Sequence, residues 1–353
     1  MTGSNIIPEQ WKYPTLQSLP VRKILVLKLR AIGDVLLSTS VLRNLREAFP
    51  DARIDFLTEH PARDIIDSNP DIDNALVFHT KNDRIVPWLW RLYKADYDLV
   101  FDLFCNPRSA QLCWATRANV RVGYPFRGRK YAYSAYVESR SNEIHNVDFN
   151  LDPLRALDIP IIDTEPHVPV DERDAEWATD ITKRLRSQHP LLVAMNPSGT
   201  WETKRWGLEK FAALADALIE KHNALPILLW GPGEKDDVES IQAQMTNKPY
   251  IPPVTSLKQL AALLQQCDFT ISNDAGPMHI SAAVGTPTLG IFGPTNPYLQ
   301  GPYHTRSSWV RLDDLDCIAC NLTTCDIGNV CMTDLQVSAV LQAFENMMKE
   351  STK

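Results

Sequence analysis

Five short segments combine glycine with small polar or charged residues: 30–34 (RAIGD), 196–200 (NPSGT), 231–234 (GPGE), 273–279 (NDAGPMH) and 293–296 (GPTN). Each can bring backbone N–H groups close to an anion, and a helix starting behind such a segment adds a dipole that favours phosphate. Four of the five fall in the C-terminal half, which points to a nucleotide diphosphate held there. Phosphate also asks for cations, and Lys204 and Arg205 stand just past 196–200 and directly before Trp206. They read as a phosphate contact, the alternative being two solvated surface cations. Other chemistries lack their signatures: there is no G-x-x-x-x-G-K-[ST], no G-x-G-x-x-G after the first strand, no H-E-x-x-H and no G-x-S-x-G.

The elements that must carry these segments follow from periodicity. Residues 23–29 (KILVLKL) form a continuous apolar run, the pattern of a buried parallel strand. A helix is expected over 35–49, then strands at 53–57, 75–78 and 98–103, with helices near 62–68 and 84–94 between them. The pattern pauses over 152–171, rich in proline and acids, the best linker and a hinge for opening and closing. Alternation resumes with strands at 191–195, 226–230, 269–272 and 288–292. Helices are expected at 208–221, 236–245, 257–266, 278–284 and 333–349. Strands alternating with helices on this period imply parallel α/β sheets covered on both faces. Two such halves leave a cleft for ligands between them.

The chain's 353 residues fit two domains, and 44% hydrophobic with 22% charged residues is an ordinary globular composition. A net charge of −7 argues against a nucleic-acid binder. No apolar stretch is long enough to span a membrane, and 1–20 lacks the apolar core of a secretory signal. Scattered Cys105, Cys113 and Cys267 suit a reducing cytoplasm.

Taken together, Ala31-Ile-Gly-Asp-Val35, Lys204-Arg-Trp206 and Asn273-Asp-Ala-Gly-Pro-Met-His279 followed by a helix resemble the ADP-heptose:lipopolysaccharide heptosyltransferases, over about residues 23–344 in the same order. The resemblance implies an α/β, GT-B fold: two Rossmann-like parallel-sheet domains facing a cleft. The N-terminal one, 1–168, would bind acceptor and the C-terminal one, 169–353, the nucleotide sugar, with the final helix free to pack back on the first domain. It implies a cytoplasmic, inverting, metal-independent transfer of heptose from ADP-heptose to the lipopolysaccharide inner core. By the same resemblance Asp34 is the general base, Lys204 binds the diphosphate and Thr200 lies near the phosphates. Asp274 lies near the donor sugar, Gly276 donates from its backbone to phosphate, and His279 belongs to the donor site. Glu234 corresponds to a ribose-binding acid in a loop that is offset here, and Ala275 stands where some members have threonine. The bland alternatives are helix N-caps for Asp34 and Asp274, and a carbonyl-bonded first-turn histidine for His279. One rival reading keeps the fold and changes the nucleotide sugar. Another is a catalytically silent sugar-nucleotide or glycolipid binder.

Residues 116–137 contain no acid but carry Arg117, Arg121, Arg127, Arg129 and Lys130 among five aromatic residues. The expectation is a docking face for a phosphorylated glycolipid acceptor such as lipid A, or for the inner-membrane surface, with Arg127, Arg129 and Lys130 as anion contacts. A hairpin with solvated arginines is the alternative. The aromatic stretch 85–94 fits either an interfacial helix or a helix covering the sheet. Finally, Cys317, Cys320, Cys325 and Cys331 can ligate a structural metal, but their spacing departs from a zinc ribbon, so free thiols are preferred.

Overall fold

The structure, a computed structural model, describes residues 20–351. The expectation about a secretory signal falls on 1–19, outside the described residues. The chain divides into two compact units, Met1–Pro169 and Val170–Lys353.

In the first unit, six strands pair in parallel: β1 (Lys23–Leu27), β2 (Arg53–Thr58), β3 (Asn74–Val77), β4 (Leu99–Asp102), β5 (Val120–Gly123) and β6 (Ala135–Tyr136). Their order is β3-β2-β1-β4-β5-β6. Ile24, Leu25, Val26 and Leu27 are all fully buried. Successive side chains of a strand point to opposite faces, so both faces of β1 are covered. The chain runs outward from β1 to β3 and returns to β4 on the other side of β1. The carboxyl ends of β1 and β4 therefore form a topological switch point, where open parallel sheets bind ligands. Asp34 follows β1 at that point.

The single helix expected over 35–49 is two, Ile32–Leu37 and Ser40–Ala48. Between them Ser38, Thr39 and Ser40 each donate a side-chain hydroxyl to the carbonyl three residues back, at 2.7, 2.7 and 3.1 Å. Three consecutive back-bonds compete with the helical ladder and break it.

The stretch expected as a linker also differs. Asp152 lies in the helix Asn146–Arg155, buried and paired with Arg140 and Arg155. Only the later part is irregular, and it is strapped to the first unit. Asn44 Oδ1 accepts from the N–H groups of Ile162 (2.7 Å) and Asp163 (3.1 Å), and Thr39 Oγ1 accepts from His167 N–H at 2.8 Å. Proline content flagged the missing secondary structure but not these tethers, which depend on a buried asparagine 118 residues away.

In the second unit β7 (Leu191–Asn196), β8 (Ala224–Leu228), β9 (Phe269–Asn273), β10 (Thr288–Ile291) and β11 (Ser308–Val310) pair in parallel in the order β11-β10-β9-β7-β8. Here the chain leaves β7 for β8 on one side and resumes at β9 on the other. The switch point lies between β7 and β9, whose ends are in register through Asn196 and Ser272. The helix Glu172–Arg186, absent from the sequence reading, precedes β7. The last helix, Val337–Ser351, buries Val340, Leu341, Phe344 and Met347 in the core of this unit, with Phe269 and Phe344 edge to face at 5.3 Å. Its apolar stripe is thus buried in the core of its own unit.

Candidate donor-binding and base sites

At the β7/β9 switch point the ends of both strands are stitched together. Asn273 Nδ2 donates to Pro197 O at 2.6 Å, Asn196 Nδ2 to Ser272 Oγ at 3.0 Å, and Ser272 Oγ to Asn273 O at 2.6 Å. Amide and hydroxyl side chains at strand ends supply such bonds because the ladder has stopped and backbone groups need partners. Out of this platform the chain makes a short 3-10 turn, Glu202–Lys204, anchored from below by the buried Trp206.

Lys204 and Asp274 meet here. Lys204 Nζ lies 2.7 Å from Asp274 Oδ2, and Thr295 Oγ1 donates to the same oxygen at 2.6 Å. The Asp274 side chain is 5% exposed and that of Lys204 14%. The ammonium also sits 4.5 Å from the centre of the Trp201 ring. A lysine has three donors, and a low-dielectric wall keeps its charge from being spread into solvent. The cation is therefore fixed in place with donor capacity left for an anion.

The helix Gly276–Ala283 starts two residues after Asp274, with Pro277 in its first turn and no side-chain cap from Ala275. Alanine at the N-cap leaves amide donors uncapped, and the dipole adds partial positive charge. Gly276 opens this helix, and His279 is buried one turn in. Asp274 is not the N-cap. Nearby Ser198 Oγ and Asn273 Oδ1 are buried without a partner in the protein. Groups of that kind mark where a ligand atom completes the bonding. Lys204 and Asp274 thus meet at one strand end, with Gly276 and His279 on the helix that starts two residues later, and the sequence reading missed Thr295, Trp201 and Ser198. Thr295 stood in a glycine-containing loop already singled out, and its hydroxyl was the available signal.

The remaining donor-side residues sit differently. Thr200 is exposed at the end of the loop after β7. Glu234 accepts the Gly231 N–H at 2.8 Å, so one carboxylate oxygen closes its own loop. Arg205 donates to Gly199 O at 3.0 Å and pairs with Asp237, stiffening the loop instead of facing the ammonium site. Gly293 has a packing reason: a Cβ there would come within 2.7 Å of Cys331 Sγ and Met332 Sδ.

In the first unit, Asp34 is exposed at the third position of helix Ile32–Leu37, and its Oδ2 accepts the Ala31 N–H at 3.1 Å. The carboxylate is therefore not an N-cap. It reaches back to the cap, as an acid at this position does, and leaves its second oxygen for other chemistry.

Part of the acid-free segment is structural. Tyr124 is buried against Phe149 with ring centres 4.2 Å apart, and Tyr133 donates to buried Asp102 at 2.9 Å. Asp102 also accepts from Ser109 Oγ at 2.9 Å and the Cys105 N–H at 2.8 Å. Burial pushes the Asp102 carboxyl up and these donors oppose it. Burial also pushes the Tyr133 phenol up, so it stays a neutral donor. Arg121 is consumed by the carbonyls of Ala132 and Ala118. Arg127 and Lys130 are exposed, and Arg129 is half-buried with an unbonded Nε. Two of the tyrosines expected on a docking face, Tyr124 and Tyr133, therefore belong to the core, while Tyr131 is exposed and Tyr136 half-buried under the Lys130 ammonium.

The four clustered cysteines lie beside the turn that carries Lys204. They line a cavity of about 200 Å³ together with Thr203 and Pro294. Thr203, the neighbour of Lys204, donates to Leu322 O at 2.9 Å, and Asn329 Nδ2 donates to Thr203 O at 3.2 Å. The cysteine loop thus buttresses the turn that carries the cation. Burial and the neighbouring thiols push the Cys331 thiol up to about 11. Among the described residues the cysteines are free thiols, and no three His, Cys, Asp or Glu side chains are arranged to hold a metal ion.

The chain is 24% identical over 300 residues to the lipopolysaccharide core heptosyltransferase OpsX of Haemophilus influenzae, covering 82% of this chain and 84% of that protein. A glycosyl transferase family 9 structure from Veillonella parvula superposes with a TM-score of 0.83 at 24% identity, covering 94% and 99% of the two chains. The E. coli heptosyltransferase WaaC with ADP gives 0.70 at 20% identity, covering 93% and 98%. The two parallel-sheet domains are of the GT-B class that these structures share. The sequence profile of glycosyltransferase family 9 (heptosyltransferase) matches residues 89–331, and the chain belongs to that family.

Proposed function

We propose that this enzyme moves a heptose from ADP-heptose to the inner core of lipopolysaccharide with inversion at the anomeric carbon. The observation that carries the reading is the Lys204 ammonium held against buried Asp274 at the β7/β9 switch point, beside the uncapped start of helix Gly276–Ala283. The names of the relatives supply the sugar and the acceptor, and the neighbour crystallised with ADP supplies the nucleotide. Lys204 and the helix amides take up charge as the diphosphate departs, and Gly276 and His279 contact the donor in this reading. Thr200 and the second oxygen of Glu234 offer further hydroxyl and carboxylate contacts to the donor. Asp34 takes the acceptor hydroxyl proton. Arg127, Arg129 and Lys130 meet the anionic groups of the acceptor. Because that acceptor is anchored in lipid, the reaction belongs at the cytoplasmic face of the inner membrane.

In this reading the leaving group is met by side chains and amides, with no metal ion required. Calorimetric titration should therefore show ADP binding that is unchanged by EDTA, and UDP binding about tenfold weaker, a difference of about 1.4 kcal/mol. Loss of ADP binding in EDTA, or UDP binding as tight as ADP, would contradict it.

A further inference from the structure

The helix Ile85–Ala95 carries two apolar stripes. Trp88 and Leu92 are buried in the core, with Trp88 edge to face on Phe78 at 5.6 Å. Val86, Trp90 and Tyr93, spaced i, i+4 and i+7, project from the opposite side and are 69%, 58% and 43% exposed. The sequence left this helix open between a sheet cover and an interfacial helix; it has the faces of both. Trp90 and Tyr93 stack on one another with centres 5.5 Å apart. The packed neighbour, helix Pro107–Ala115, adds Trp114, which is 52% exposed. Single exposed apolar residues are ordinary, but a group of aromatic ones on adjoining helices marks a surface that meets something.

Charge says what it meets. Lys94 Nζ lies 4.8 Å from the Trp90 ring and Arg117 Cζ 5.1 Å from the Tyr93 ring, while Arg91 lies over Trp88 at 4.6 Å. Neither helix contains an acid, and none occurs between Asp102 and Glu138, in a chain whose net charge is −7. Cations resting on tryptophan and tyrosine suit the headgroup level of a bilayer, where aromatic rings hold both an apolar and a wet contact. An anionic surface attracts the cations over a Debye length and the rings anchor them. No helix among the described residues is long and apolar enough to cross a membrane.

We propose that Val86, Trp90, Tyr93 and Trp114, rimmed by Arg91, Lys94 and Arg117, dock the first unit on an anionic lipid bilayer. The proposal uses none of Arg127, Arg129 and Lys130, and it deepens the reading that the acceptor is lipid-anchored, on which it rests. The test is co-sedimentation of the full chain with vesicles of phosphatidylcholine alone or mixed with phosphatidylglycerol. Binding is expected to the mixed vesicles and to weaken with salt. Lys94→Gln and Arg117→Gln should each weaken it about fivefold, and Trp90→Ser with Trp114→Ser by about tenfold or more. Because these side chains are exposed, thermal unfolding and transfer to a delipidated core acceptor should not change. No binding to anionic vesicles at low salt, or wild-type binding by the tryptophan variant, would overturn the proposal. So would a concentration-dependent self-association abolished by the same variant, which would make the face a contact between copies. Vesicle binding without heptose transfer would leave the docking face standing and overturn the function instead.

Discussion

Lys204→Ala is expected to lower kcat/KM for heptose transfer by about 10²–10³, the usual cost of removing one preorganised charge from a leaving group. Two effects act together. The first is the lost cation at the departing diphosphate. The second falls on Asp274, whose buried carboxylate would keep only the Thr295 hydroxyl. A buried charge stripped of its partner is destabilising by about 3–5 kcal/mol unless it neutralises, and while ionised it repels phosphate. The two effects separate in a double variant. Removing Asp274 as well should recover part of the ADP affinity and thermal stability lost in Lys204→Ala, yet not the turnover. Steady-state kinetics with calorimetry and thermal unfolding on the three variants measure this cycle. Near-wild-type turnover by Lys204→Ala would mean that the pair is structural only.

Asp34→Asn is expected to lower kcat by about 10²–10⁴, the range for a positioned general base, with KM for the donor little changed. This substitution is the informative one because of the bond that Asp34 already makes. Its Oδ2 accepts the Ala31 N–H, and an asparagine oxygen accepts the same bond. If Asp34 served only to close the helix start, the asparagine variant would turn over normally. Kinetics and a thermal melt on the same preparation distinguish the cases: lost turnover with an unchanged melting temperature is the predicted pair.

The parts of this molecule legible from sequence are those written in local chemistry. The buried run at β1 announces a covered parallel strand, since four consecutive apolar positions fit no half-exposed element. Lys204 and the segment around Asp274 stand out because glycine, an acid and a cation beside strand ends ask for an anion. Their meeting at 2.7 Å could not be read, because it depends on β9 returning beside β7 rather than beyond β8. Tyr133 illustrates the opposite failure. Among arginines it looks like a surface aromatic, yet its partner is Asp102, buried and 31 residues away. The helix break at Ser38–Ser40 was visible as three hydroxyl residues in a row, a signal the apolar spacing around it concealed. The cysteine loop is the same kind of case, since Thr203 and Asn329 join segments 126 residues apart behind the Lys204 turn.

The central claim, a heptose moved from ADP-heptose to a lipopolysaccharide core, is tested most directly by one incubation. The purified chain and ADP-heptose are combined in EDTA with core acceptors truncated before the first, the second or the third heptose, and each acceptor is weighed by mass spectrometry. The account predicts the gain of one heptosyl unit with release of one ADP, and no gain when a UDP-sugar replaces the donor. Unchanged mass for every acceptor, or extension of any of them from the UDP-sugar, would contradict it.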